Sequence, residues 1–167
     1  MEKNESCTFT GHRTEKLPWR KDENDLRCLD LKEKISEALR EAYHSGIRHF
    51  ICGMATGCDM YFCEAAIALR AEHGEITIEA AIPWNRQAES WSEDLRRRHS
   101  RLVEDCDFIT VVQNEFTPDC LMKRNHYMVD NSSMIIAAYN GKPGGTMSTM
   151  LYAMRRGVTL VEIAIEP

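Results

Sequence analysis

Met134-Ile135-Ile136-Ala137-Ala138-Tyr139 is an apolar run, broken by Asn140-Gly141-Lys142-Pro143-Gly144-Gly145-Thr146 and followed by a helical pattern from Ser148 to Arg156. The order reads strand, glycine loop, helix. Glycines let a backbone turn tightly and approach a ligand, and a helix start leaves amide N–H groups unpaired, so such a loop can cradle a phosphate. The same residues also make a plain strand-to-helix turn, and one short glycine motif does not separate the two readings.

The order recurs upstream. Ile47 to Cys52 is β-prone, Gly53-Met54-Ala55-Thr56-Gly57-Cys58-Asp59 follows, and a helical run extends from Met60 to His73. Asp59 stands where an N-cap belongs, and it serves equally well as a ligand group. At the amino end, Ser6 to Thr10 reads as strand one, stopped at Gly11-His12-Arg13. Thr14 to Asp25, with Pro18, Trp19 and many charges, reads as a long loop of the kind that covers a site. Leu31, Ile35, Ala38, Leu39 and Ala42 recur at helical spacing after Leu26, and Gly46 closes that helix. Ile76 to Ile82 is the third strand, ended by Pro83. Asn85 to Cys106 reads as one long polar helix whose Arg96-Arg97-Arg98 run is a solvated face. Phe108 to Val112, a helix over Cys120 to Val129, and a last strand over Val158 to Ile165 complete the chain.

Six strands with helical patterns in the gaps predict a single α/β domain over 1–167: a Rossmann-like, three-layer fold with a mostly parallel, doubly wound sheet. The strands lack strict alternation, as expected when helices cover both faces. Ligands of such sheets bind outside the carboxyl ends of the strands, at the switch point of strand order. Thr10 to Arg13, Gly53 to Asp59, Pro83 and Gly141 to Thr146 all fall at carboxyl ends. Two glycine loops opening helices on one edge, beside an arginine, make a phosphate-shaped site.

Composition narrows the class. A chain of 167 residues buries roughly 70% of its unfolded surface and needs no covalent staples. The seven cysteines form no CxxC pair and mostly sit in apolar runs, so they read as buried free thiols of a reducing compartment. No signal peptide or membrane-length apolar run is present, which predicts a cytoplasmic protein without a membrane partner. A net charge of -5 argues against nucleic acid as the main partner. The histidines show no metal-ligand spacing, so no metal is expected. Neither glycine loop matches GxGxxG or ends in the Lys-Ser/Thr of a Walker loop, which weakens dehydrogenase and ATPase readings.

Thr10-Gly11-His12-Arg13, the Gly53 to Asp59 loop, Arg124-Asn125-xx-Met128-Val129-Asp130 and Gly144-Gly145-Thr146, in that order, resemble the YpsA-type family of the SLOG superfamily, whose relatives include DprA-like and LOG (lysine-decarboxylase-like) proteins. The resemblance covers nearly the whole chain. It implies a Rossmann-like pocket for a nucleotide-derived ligand such as ADP-ribose or an NAD-like molecule, with no cofactor certain. LOG phosphoribohydrolases are similar around PGGxGTxxE, whose Glu takes part in cleaving the N-glycosidic bond. Here Pro143-Gly144-Gly145-Thr146 lacks the inserted pair, and Thr149 stands where the Glu would be. That departure leaves activity in doubt, with Asp59 or Asp130 as the candidate substitute, acting with Arg13.

The leading expectation is a sensor or ligand-binding domain. Amides of Gly53, Met54, Ala55 and Gly57, and of Gly144, Gly145 and Thr146, would hold phosphates. Arg13 would pair with phosphate, Asp59 would accept from a ribose hydroxyl, and Thr10, Gly11, His12 and Pro83 would line the site. Arg124 and Tyr127 either close it or are ordinary surface charge and core aromatic; His12 is a general base or a turn residue. The alternatives are a nucleotide N-glycosidase and a DprA-like partner of single-stranded DNA. A homodimer through a strand edge or helix face is a further expectation.

Overall fold

In the computed structural model, which describes residues 1–166, Met134–Tyr139 forms β5 with the bounds the sequence predicts. It lies beside β1 (Ser6–Gly11), with Thr8 opposite Ile135 and Thr10 opposite Ala137. On the other side of β1 come β2 (His49–Cys52), β3 (Thr77–Ile82) and β4 (Phe108–Val111), and beyond β5 comes β6 (Thr159–Ala164). The order is β4-β3-β2-β1-β5-β6, and every pairing is parallel. The chain reverses its winding between β4 and β5, which puts the switch point between the adjacent strands β1 and β5, with all carboxyl ends on one edge.

Parallel neighbours require crossovers, supplied by α1 (Leu26–His44), α2 (Cys58–Glu72), α3 (Glu93–Asp105), α4 (Cys120–Asp130) and α5 (Gly145–Arg155). α1 and α2 pack together on one face, and α4 and α5 pack together on the other, giving the expected three layers. The larger core, with Phe9, Phe50, Phe62, Ile35 and Leu39, lies under α1 and α2. A smaller one, with Val129, Ile135 and Ala153, lies under α4 and α5. The Phe, Ile, Leu and Val side chains among these each contribute about 1.5–3 kcal/mol on burial.

Several boundaries move for physical reasons. Residues 85–92 are turns rather than helix, because Ser92 caps α3: its Oγ accepts from the Leu95 N–H at 3.4 Å. Asp59 lies inside α2, one residue past its start, and does not cap it; the N-cap is Gly57. α5 begins at Gly145, three residues before Ser148. The segment from Thr14 to Asp25 holds a 3-10 turn at Thr14–Lys16 and is pinned: Leu17 and Trp19 are buried, and Trp19 Nε1 donates to Tyr61 Oη at 3.2 Å. The arginine run is only partly solvated. Arg97 is exposed, whereas Arg98 forks between Glu23 and Glu64 at 2.6 Å from each and ties that segment to α2. All seven cysteines are free thiols, six of them buried and Cys106 half-buried. β4 is left open: Phe108 is 46% and Ile109 56% exposed, since α3 packs on α2 rather than over this edge strand. Among the described residues, no helix is long and apolar enough to cross a membrane.

Candidate functional site

The site starts with the way two loops interlock. The Cys58 N–H at the start of α2 donates to the His12 carbonyl at 3.1 Å, joining the ends of β1 and β2. Gly57, at φ +77°, makes this approach feasible: a β-carbon there would stand 2.7 Å from the Thr14 nitrogen and 2.8 Å from the His12 oxygen. Both obstacles are backbone, so no side chain fits. Met54, buried beside Gly53, holds a left-handed φ of +62°, a local strain of the kind found at sites.

A cavity of about 140 Å³ lies between these loops, α4 and the start of α5. Its wall includes Thr10, Gly11, His12 and Arg13 after β1, and Ala55 and Asp59 after β2. Arg124 and Asn125 come from α4, and Gly145 and Thr146 from α5. Gly144 precedes the α5 start, where no side chain caps the helix, so the first-turn amides of Gly145 and Thr146, two residues of the cavity wall, have no side-chain cap. Thr149, where a LOG-type Glu would stand, is buried and donates through Oγ1 to the Gly145 carbonyl at 3.0 Å. It serves the helix.

Of the two readings of Arg124, the cavity wall and not the surface is where it lies. It is 4% exposed, held through Nε to Asn125 Oδ1 at 2.9 Å and through Nη1 to the Gly53 carbonyl. Among the described residues its Nη2 has no hydrogen-bond partner, and the residue lines the cavity. The Gly53 carbonyl also accepts from Gln87 Nε2 at 3.2 Å, and Gln87 Oε1 meets His99 Nε2 at 2.9 Å. Asp59 is 7% exposed, and its Oδ2 accepts from the Ala55 N–H at 3.1 Å. Burial pushes its carboxyl above the ordinary range, against the opposing pull of Arg124, the Ala55 N–H and Arg13. No ion pair joins Asp59 to Arg124 among the described residues, so both keep capacity for a third group. His12 is held below its usual pKa by burial and by Lys16, and its Nε2 accepts the Asn140 N–H at 3.2 Å. That bond requires Nε2 to be unprotonated.

The structure therefore brings Thr10, Gly11, His12, Arg13, Ala55, Asp59, Arg124, Gly145 and Thr146 around one cavity, with Gly53, Met54 and Gly57 behind its wall and Gly144 at its rim. Three expected residues lie elsewhere. Asp130 ends α4, accepts from Tyr152 Oη at 2.9 Å and pairs with Arg156, away from the carboxyl edge. Tyr127, one helical turn past Arg124 along α4 and so farther from the carboxyl edge, donates to Glu79 Oε2 at 2.5 Å; that carboxylate also meets His49 and Thr110. Pro83 is buried after β3, outside the cavity wall. Lys16 and Asn125 join the wall unforeseen, and Gln87 supports it. Asn125 sat in the quoted motif without a role, Lys16 follows Arg13 closely enough to have been suspected, and nothing in the sequence marks Gln87. No cluster of three or more metal-ligating side chains occurs among the described residues.

Against known proteins, a family model described as the YspA SLOG family matches residues 7–160. The chain is 31% identical over 140 residues to the uncharacterized SPbeta prophage-derived protein YoqJ of Bacillus subtilis, covering 76% of this chain and 82% of that protein. It is 22% identical over 152 residues to a UPF0398 protein of Halalkalibacterium halodurans, covering 89% of this chain and 80% of that one. Among solved structures, DNA processing protein A (DprA) from Streptococcus pneumoniae superimposes with a TM-score of 0.61 over 96% of this chain, at 12% identity. The chain spans 50% of that protein's length, and the likeness is one of fold.

Proposed function

The chain belongs to the YpsA family of SLOG proteins, and from that premise we propose that it binds a nucleotide-derived ligand at the carboxyl edge of its sheet, as a sensor or ligand-binding domain. The observation that carries this reading is Arg124: a guanidinium 4% exposed, with Nη2 unpartnered among the described residues, lining a cavity also lined by Asp59. Burying a cation costs several kcal/mol unless something pairs with it. An anionic, hydroxyl-bearing ligand supplies that pairing, with the α5 amides and Arg13 on its phosphate and Asp59 on a hydroxyl. Calorimetric titration with ADP-ribose, NAD and AMP tests it. Binding by at least one is expected, weakened about 10-fold or more in Arg124→Ala, the worth of one charged hydrogen bond. Absence of heat from all three at millimolar concentration overturns the reading.

A second reading, N-glycosidic hydrolysis, draws on the buried Asp59 carboxyl lining the cavity, which burial pushes above its ordinary range, as for a proton donor. Its test is release of nicotinamide or free base that Asp59→Asn abolishes. No release from any nucleotide tried removes it.

A further inference from the structure

The two faces of the sheet meet at the Gly53 carbonyl. It follows β2 at the carboxyl edge and accepts two side chains: Arg124 Nη1 from α4 on one face, and Gln87 Nε2, at 3.2 Å, from the turns before α3 on the other. Gln87 is buried, and its Oε1 meets His99 Nε2 at 2.9 Å. An amide oxygen only accepts, so His99 carries a proton on Nε2. Burial holds the His99 pKa below its ordinary value, which keeps the ring neutral near pH 7, and Trp91 stands edge-on to it with ring centroids 5.3 Å apart. The ring thereby fixes which way the Gln87 amide faces.

Met54 explains why this carbonyl needs two donors. Its left-handed φ of +62° is costly for a residue with a β-carbon. Rotating the Gly53–Met54 peptide by half a turn brings that φ to an ordinary negative value, and Gly53, without a β-carbon, accepts the matching change in its ψ. The same rotation swings the Gly53 carbonyl away from both Gln87 and Arg124. Two hydrogen bonds therefore hold the peptide against its own strain. Arg124 depends on that carbonyl in turn, because among the described residues its only other hydrogen bond is from Nε to Asn125 Oδ1 at 2.9 Å.

We propose that Gln87, fixed by His99, is a positioning residue for the binding site: it locks the Gly53–Met54 peptide in the orientation that holds the Arg124 guanidinium at the cavity wall. Neither Gln87 nor His99 lines the cavity, so both act through the carbonyl. This rests on the binding reading above and extends it to residues on the opposite face of the sheet.

The test makes two measurements on the full chain and on Gln87→Met, His99→Leu and His99→Gln, with thermal melts showing that each folds. The first needs no ligand: it follows exchange with water of the Arg124 Nε–H, whose NMR signal is assigned by its loss in Arg124→Ala. The second is calorimetry with AMP, NAD and ADP-ribose. In Gln87→Met and His99→Leu, exchange is expected to quicken about 10-fold or more, and affinity for whichever probe binds wild type to fall about 5-fold, as for one lost hydrogen bond. His99→Gln sets an amide N–H close to the place of Nε2 and is expected to keep both within about 2-fold of wild type, which a space-filling role for His99 does not predict. Unchanged Arg124 exchange in Gln87→Met, unchanged affinity in it where wild type binds, or His99→Gln no better than His99→Leu overturns the positioning role. Faster exchange in Gln87→Met and normal exchange in His99→Gln, in a protein that binds none of the three probes, removes the binding reading and leaves the lock on Arg124 standing.

Discussion

Arg124 and Asp59 flank Gly53: the Arg124 guanidinium and Asp59 Oδ2 each stand 3.0 Å from the point where a β-carbon on Gly53 would be. Gly53 thus sets the separation of two buried opposite charges. Gly53→Ala pushes both outward and strains the bond from Arg124 to the Gly53 carbonyl. Ligand affinity is expected to fall about 10-fold or more, with about 1–3 kcal/mol lost from stability by overpacking. Calorimetry and urea unfolding on the same variant check both halves; unchanged affinity would mean that the spacing does not matter.

Gly57→Ala is expected to be worse for the fold. The left-handed φ costs about 1–3 kcal/mol for a non-glycine residue, and the clash with two backbone atoms adds a similar amount. A loss of about 2–4 kcal/mol in urea unfolding follows, together with faster proteolysis near Arg13 and Thr14 as the bond from Cys58 to His12 opens.

His12 gives a pH dependence with a definite sign. Its folded pKa lies below the ordinary 6.5, so the unfolded chain binds the proton more readily, and stability is lost as pH falls through 6.5 toward the depressed folded value. His99, also lowered by burial, adds in the same direction. His12→Gln keeps an acceptor for the Asn140 N–H and removes the titration. Its unfolding midpoint is expected to vary less than wild type between pH 7.5 and about 5.5. Parallel curves for the two proteins would rule His12 out as a contributor.

Tyr127→Phe separates fold from site. It deletes one donor to Glu79, whose carboxyl is held below its ordinary range by hydrogen bonds from His49, Tyr127 and Thr110 that outweigh burial. About 1 kcal/mol of stability is expected to go, with ligand affinity unchanged because the residue lies outside the cavity wall. Weakened binding in calorimetry would place Tyr127 back in the site.

The sheet was legible because β-prone runs and helical spacing act through local periodicity. Met134–Tyr139 emerged with its true bounds, and the glycine loops announced the edge where the cavity lies. What escaped the sequence depends on distant neighbours. Arg124 sits in a polar helix between Lys123 and Asn125, and only the packing of α4 against the Gly53 loop reveals that it is buried. Tyr127, three residues on, keeps the same side of α4 but reaches Glu79 one turn farther along, and Asp130, six residues on, turns away to Tyr152. Asp59 looked like a cap because it precedes a helical run; its carboxylate instead reaches back to Ala55.

The strand order also sets a schedule. β4, β3 and β2 line up on one side of β1 from the first 111 residues, so a chain emerging from the ribosome can assemble four strands and three helices without any part of α4 or α5. The cavity wall is finished only when Arg124 and then Gly145 and Thr146 arrive on the other side. A ligand of this cavity would therefore meet a complete wall only once α5 has been made, and would act on the closing of the fold, not on its nucleation.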